Sequence, residues 1–163
     1  MKILIVKFGA LGDVVGALPF LNILRRMMPE AEIDWVVEPL SYPILENHKA
    51  LTNTILFRRD QGISRLLSQI NALRHRHYDL VIDLQRILRS GLVTRLTGAP
   101  RRLGFDRDRC KEQSWLFTNE RIAPGSDSDH MVDQYIEFAR YLGVQDLEID
   151  YGIELSQMER NAG

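Results

Sequence analysis

The sequence has a single cysteine and no long hydrophobic run, and each shortage excludes a class of protein. The lone thiol, Cys110, can form neither an internal disulfide nor a cysteine-rich metal site. No apolar segment approaches the ~18 residues that a membrane-spanning helix needs, and no signal peptide is recognisable. With 163 residues the chain can bury one core. We therefore expect one cytoplasmic domain, whose contact with a membrane would be peripheral.

Charge is nearly balanced in total but unevenly distributed along the chain. From Arg58 to Lys111 there are 13 Lys and Arg against 5 Asp and Glu, whereas from Glu112 to Gly163 there are 3 against 11. A basic segment can attract an anionic partner. We expect no nucleic acid, because the arginines lack interleaved aromatic residues and no nucleic-acid-binding motif is present. An anionic glycolipid at a membrane surface fits equally well, and solvated helix faces are the plainer alternative.

Apolar strands alternate with amphipathic helices along the chain, which predicts a doubly wound parallel sheet of the α/β class. Pro19 should interrupt the first helical segment, Val14 to Met28, and restart it as a first-turn residue. Helical spacing from about Ile63 to Arg74 predicts that one face of this helix is core and not a lipid-binding stripe, namely Leu66, Leu67, Ile70 and Leu73. The polar segment Gly104 to Asp129 is expected to be a mobile loop over a cleft.

Asp13 is the first candidate for chemistry. The strand Ile3 to Val6 runs into a glycine loop that ends on this carboxylate, so Asp13 should lie at the carboxyl end of a strand, where such sheets bind ligands. The spacing of Gly9, Gly12 and Gly16 is G-x-x-G-x-x-x-G, which is not the dinucleotide fingerprint. An aspartate before a helix can also be an ordinary N-cap.

An ordered set of motifs resembles glycosyltransferase family 9, the ADP-heptose:lipopolysaccharide heptosyltransferases. The matching pieces cover about residues 1 to 145: the Lys7 to Asp13 loop, Pro19, Asp34 to Glu38, Asp79 to Gln85, Arg89-Ser90, Arg102 to Asp106, and the helix opening at His130. The resemblance implies the amino-terminal, Rossmann-like half of a GT-B-type glycosyltransferase. Residues 1–155 would form the acceptor-side domain and 156–163 would begin an interdomain linker, with the carboxy-terminal donor domain absent.

The function that this resemblance implies is inverting transfer of heptose from ADP-heptose, or of a sugar from another nucleotide sugar, to the lipopolysaccharide inner core. The acceptor would be an anionic glycolipid at the inner face of the inner membrane. The isolated half should be nearly inactive, and neither a cofactor nor a metal is demanded. An alternative of another class is a non-catalytic module that binds an anionic glycan or lipid.

The resemblance also assigns residues. Asp13 matches the family's presumed general base, and an inverting transfer needs one base to take the proton of the acceptor hydroxyl. We expect the acceptor-side contacts to be Lys7, Gly9, Gly12, Gln85, Arg89 and His130. The chain departs from the family at Arg86, where glycine usually follows the Asp-x-Gln motif. That side chain could narrow the acceptor pocket or add a charge to it.

Overall fold

The computed structural model describes residues 1–145 and 147–152, and its strands form one parallel sheet. The strands are β1 (Lys2–Val6), β2 (Glu32–Val37), β3 (Asn53–Leu56), β4 (Leu80–Asp83), β5 (Arg101–Gly104) and β6 (Glu120–Arg121). Their order is β3-β2-β1-β4-β5-β6, so the first strand lies at the centre. Ile3 is in register with Ile33 on one side and Leu80 on the other. This confirms the predicted doubly wound parallel sheet.

Helices cover both faces of the sheet. They are α1 (Leu11–Gly16), α2 (Leu18–Met27), α3 (Tyr42–Leu45), α4 (Ile63–Arg74), α5 (Leu88–Leu96) and α6 (Met131–Tyr141), with a 3-10 turn at Ser114–Phe117. One buried cluster joins the sheet to α2 and α6, and a second lies on the face that carries α4 and α5. As predicted, Pro19 lies in the first turn of a separate helix, α2, after a break at Ala17.

Side chains of β1 alternate between these two cores, because successive residues of a strand point to opposite faces. Ile3 and Ile5 belong to the α2/α6 core, whereas Leu4 and Val6 belong to the α4/α5 core. All four are fully buried, as expected for the central strand of a parallel sheet. The alternation continues into the loop after β1, and this determines where its polar side chains lie.

Two of our predictions about the fold are wrong in part. Leu67 is not core but is 56% exposed, because α4 turns only Leu66, Ile70 and Leu73 toward the sheet. The segment Gly104 to Asp129 is not simply a loop, since it contains the 3-10 turn and β6. That strand is too polar to show a hydrophobic pattern and is held by backbone pairing with β5.

The predicted boundary between a domain ending at 155 and a linker at 156–163 lies outside the described residues. No helix within the described part of the chain has the length and apolar character needed to span a bilayer.

Candidate active site

The carboxyl ends of β1, β2 and β4 converge at one edge of the sheet, and the loops that follow them bring the polar candidates together. Lys7, next after β1, continues the alternation toward the α2/α6 face. Phe8 points to the opposite face and joins the α4/α5 core. The edge is therefore divided into two neighbouring sites, one around Lys7 and one around Phe8.

The first site is built on a contact between Lys7 and Asp13. Lys7 Nζ donates to Asp13 Oδ2 at 3.1 Å. The lysine is 2% exposed, whereas the aspartate side chain is 42% exposed. Asp13 lies in the first turn of α1, but Ala10 occupies the N-cap position and no side chain caps the helix. The N-cap interpretation of Asp13 is therefore wrong, and its carboxylate is open to solvent at the sheet edge.

Burial lowers the pKa of Lys7, and the charge and hydrogen bond of Asp13 oppose that effect. The Lys7 ammonium lies 5.7 Å from the centroid of the Tyr135 ring, which comes from α6. Burial, followed by the charge of Asp13, raises the pKa of the Tyr135 hydroxyl. That hydroxyl is buried without a hydrogen-bond partner among the described residues. The buried Lys7 ammonium, the exposed Asp13 carboxylate and the neutral Tyr135 phenol therefore lie close together.

Asp83, the last residue of β4, has a structural role. Its side chain accepts hydrogen bonds from the Gln85 backbone N–H and the Ser90 hydroxyl, both at 2.9 Å. Burial raises the pKa of Asp83 to about 6, and these hydrogen bonds and the charge of Lys7 oppose the rise. The carboxyl fixes the loop after β4 and the start of α5, which carry Gln85 and Arg89.

The second site is a cavity of about 230 Å³ on the Phe8 side. Its lining includes Phe8, Gly9, Ala10, Glu38, Leu40, Ser41, Arg59, Gln85 and Arg89. The Arg89 guanidinium lies 5.1 Å from the Phe8 ring centroid and 3.0 Å from Glu38 Oε1. Gln85 Oε1 accepts a hydrogen bond from the Phe8 backbone N–H at 3.1 Å. Three of the predicted contacts, Gly9, Gln85 and Arg89, are therefore brought together in one pocket.

The remaining predicted contacts lie around these two sites. A Cβ on Gly12 would meet nothing within 4 Å, and one on Gly9 would lie 3.9 Å from Ser41 Oγ, so the loop is open on its outer side. His130 occupies the N-cap of α6 and is exposed. Its neighbour Met131 lies 3.8 Å from the Arg86 guanidinium. Binding roles for these residues stay predictions.

Within the described residues no three His, Cys, Asp or Glu side chains gather as a metal site would require. The expectation that transfer needs no metal or cofactor stays a prediction.

The sequence model of glycosyltransferase family 9 (heptosyltransferase) matches residues 66–162, more than half of the chain. The chain belongs to glycosyltransferase family 9. Among curated members it is 32% identical over 176 residues to lipopolysaccharide heptosyltransferase 1 of Pseudomonas aeruginosa, a match covering 97% of this chain and 48% of that protein. It is 28% identical to lipopolysaccharide core heptosyltransferase OpsX of Haemophilus influenzae, over 94% of this chain and 44% of OpsX.

Solved structures of this family share the fold. The Escherichia coli heptosyltransferase WaaC with ADP superimposes with a TM-score of 0.75 at 33% identity, over 93% of this chain and 50% of WaaC. WaaC has also been solved with ADP-2-deoxy-2-fluoro heptose. The chain thus spans about half the length of the curated and solved family members that it matches. The prediction of one Rossmann-like half of a GT-B-type glycosyltransferase is confirmed.

At Arg86, where the sequence departs from the family 9 pattern, the structure gives the backbone conformation and the side-chain contacts. Arg86 has a φ of +67°, in the left-handed region that favours glycine. Its guanidinium stacks 4.9 Å from the Phe105 ring centroid and bonds Asp127 at 2.7 Å and Gln134 at 3.2 Å. The side chain is thus held against α6, on the Lys7 side of the edge.

Sequence reasoning missed two residues of the candidate site. Glu38 follows β2 directly, so the rule that pointed to Asp13 at a strand end could have found it. Tyr135 could not have been found in this way, because it lies within a helix far along the chain and looks like an ordinary core aromatic.

Proposed function

We propose that this protein is an inverting heptosyltransferase and that the described chain is its acceptor-binding half. The observation that carries the proposal is the half-exposed Asp13 carboxylate, held by a buried lysine at the carboxyl edge of the sheet. Membership of family 9 and the heptosyltransferase names of its relatives support heptose as the sugar and the lipopolysaccharide inner core as the acceptor.

In this proposal the acceptor hydroxyl oxygen attacks the anomeric carbon of the donor sugar. The bond from that carbon to the diphosphate breaks, ADP leaves from the opposite face, and Asp13 takes the hydroxyl proton. Lys7 engages Oδ2, so we assign proton transfer to Oδ1. The ammonium fixes the orientation of the carboxylate, and no step requires a metal or cofactor from the described residues.

The pocket beside Phe8 is proposed to hold the anionic acceptor, with Gln85 and Arg89 as contacts and Gly9 and Gly12 giving the sugar access to the loop backbone. Arg89 supplies a cation whose partner, Glu38, is shared with Arg59. ADP-heptose is proposed as the donor, since WaaC has been solved with ADP and with a fluorinated ADP-heptose. We place the donor contacts mainly outside the described residues, and the reaction at the cytoplasmic face of the inner membrane.

The test is to incubate the protein in its native length with ADP-heptose and heptose-free lipopolysaccharide. We expect one added heptose by mass spectrometry and an inverted anomeric configuration by NMR. ADP-glucose serves as the donor control. Binding of the acceptor without transfer from any nucleotide sugar would contradict the proposal and favour a non-catalytic glycan-binding module.

A further inference from the structure

The outer side of α4 and α5 exposes an unusual number of large aliphatic side chains. Six residues between 40% and 71% exposed form what we call the α4–α5 apolar surface: Ile63, Leu67, Leu88, Leu92, Leu96 and Leu116. Residues 88, 92 and 96 are spaced by four and so form one stripe along α5, and residues 63 and 67 continue the pattern on α4. Leu116 belongs to the 3-10 turn, which packs on α5 at Gly91.

The helices on the opposite face of the sheet, α2 and α6, bury more of their residues than α4 does. α2 buries six of its residues and α6 buries five, whereas α4 buries only Leu73. Tyr141, at the end of α6, is the one large apolar residue exposed on those two helices. The other large apolar residues that are exposed in the described chain, Met1, Leu11, Leu40, Tyr141, Ile149 and Tyr151, do not repeat along one helix. The α4–α5 apolar surface is therefore distinguished by the helical repeat of its leucines.

The three elements that carry this surface have charges of one sign. α4, α5 and the 3-10 turn contain Arg65, Arg74, Arg89 and Arg95 and no acidic residue. The guanidinium groups of Arg107 and Arg121 lie 4.5 and 5.6 Å from the centroid of the Trp115 ring. Among the acidic groups in the flanking loops, Glu112 accepts from the Leu88 backbone N–H and Glu38 pairs with Arg89, whereas Asp60 and Asp108 are exposed.

Aliphatic side chains with surrounding arginines and an arginine-stacked tryptophan match the interface of an anionic bilayer. Leucines can enter the headgroup and acyl boundary, arginines attract anionic lipids, and tryptophan favours the headgroup level. A second copy of the chain fits less well, because a symmetric contact would set arginines against arginines.

We propose that the α4–α5 apolar surface docks the protein onto an anionic lipid bilayer. The surface begins at Leu88, three residues after Gln85, so it borders the pocket of about 230 Å³ beside Phe8. A bilayer seated there would bring a lipid-anchored acceptor to the pocket mouth; this last consequence rests on the proposed function, whereas bilayer binding itself does not.

The first test measures co-sedimentation of the native-length protein with vesicles of phosphatidylglycerol and phosphatidylethanolamine. We expect binding to these vesicles, little binding to phosphatidylcholine vesicles, and weakening by salt. The variant Leu67→Ser/Leu92→Ser/Leu96→Ser should bind at least about tenfold more weakly. Arg65→Gln/Arg95→Gln should also lose on the order of tenfold. The matched control, Tyr141→Ser/Ile149→Ser, alters exposed apolar residues elsewhere and should bind like the native protein.

The proposal is overturned if the native protein ignores anionic vesicles, or if the leucine variant binds as tightly as the control. It is equally overturned if sedimentation shows a native dimer that the leucine variant dissolves, or if hydrogen exchange shows α4 and α5 covered by another part of the chain. Transfer to a water-soluble, deacylated acceptor separates the two proposals. The leucine variant should keep its native rate there, and vesicle binding without any transfer would sink the proposed function alone.

Discussion

The α2/α6 face and the α4/α5 face of the sheet meet at the same edge, yet they end there in different ways. Beneath α2 and α6 the core is closed, and Lys7 is buried with its ammonium 3.1 Å from Asp13 Oδ2. Beneath α4 and α5 the buried cluster is smaller, and the sheet edge opens into a pocket lined by Phe8 and Arg89. A reacting group needs a fixed position, whereas a bulky acceptor needs access. In the proposed function, the alternation of side chains along β1 therefore separates the reacting carboxylate from the acceptor pocket.

The largest change in stability that we predict comes from Asp83, whose carboxyl fixes the loop after β4 and the start of α5. Because burial raises its pKa in the folded state from 3.8 to about 6, its contribution to stability is present below pH 3.8 and is lost as the pH rises through 6. The stability of the native protein relative to Asp83→Asn should fall by about 2 kcal/mol from pH 4 to pH 7. Urea unfolding of both proteins between pH 4 and pH 7 measures this change. A difference in the free energy of unfolding that stays constant with pH would contradict the raised pKa of the buried Asp83 carboxyl.

The next prediction tests whether Lys7 positions Asp13 on the α2/α6 side of the sheet edge. Lys7→Met removes the charged hydrogen bond to Asp13 and should lower kcat by about ten- to a hundredfold. Stability should not fall, because a buried charge is removed together with its desolvation cost. Lys2→Met is the matched control, since Lys2 forms only a surface ion pair with Glu32 at 3.4 Å. A native kcat for Lys7→Met would show that Asp13 needs no positioning by Lys7.

A smaller effect tests whether the pocket on the α4/α5 side affects KM for the acceptor and not kcat. Arg89→Gln should raise KM for a water-soluble acceptor about tenfold with kcat nearly unchanged, because a cation of the pocket is lost while the Lys7–Asp13 contact remains. Arg95→Gln, in the same helix but outside the pocket lining, should leave both parameters unchanged. A fall in kcat without a rise in KM would move Arg89 from binding into the chemistry.

The smallest effect concerns the Tyr135 hydroxyl, which has no hydrogen-bond partner among the described residues. Tyr135→Phe should be as stable as the native protein or more stable by up to about 1 kcal/mol, since it removes a buried polar group without a partner. Tyr78→Phe is the contrasting control. Its hydroxyl donates to Asp34 at 2.7 Å, so its loss should cost about 1–3 kcal/mol. Thermal unfolding of both variants decides between these outcomes.

Much of the fold was predictable because it rests on local patterns. The apolar run of β1, the glycine loop and Pro19 each predict one local structure, and together they placed Asp13 correctly at the sheet edge. β6 and the exposure of Leu67 were not predictable, since β6 depends on backbone pairing and Leu67 on how α4 is turned toward the sheet. The approach of Tyr135 to Lys7 joins residues far apart in sequence, and a lone sequence contains no signal for it.

The most direct test of the central claim is single-turnover transfer by Asp13→Asn at saturating donor and acceptor, in the native-length protein. The amide keeps the size of the side chain but cannot take the acceptor proton. We predict a rate lower by about 10²–10⁴-fold with acceptor binding retained, and a native rate for the exposed control Asp108→Asn. A near-native rate for Asp13→Asn would contradict the assignment of the chemistry to the Lys7–Asp13 pair.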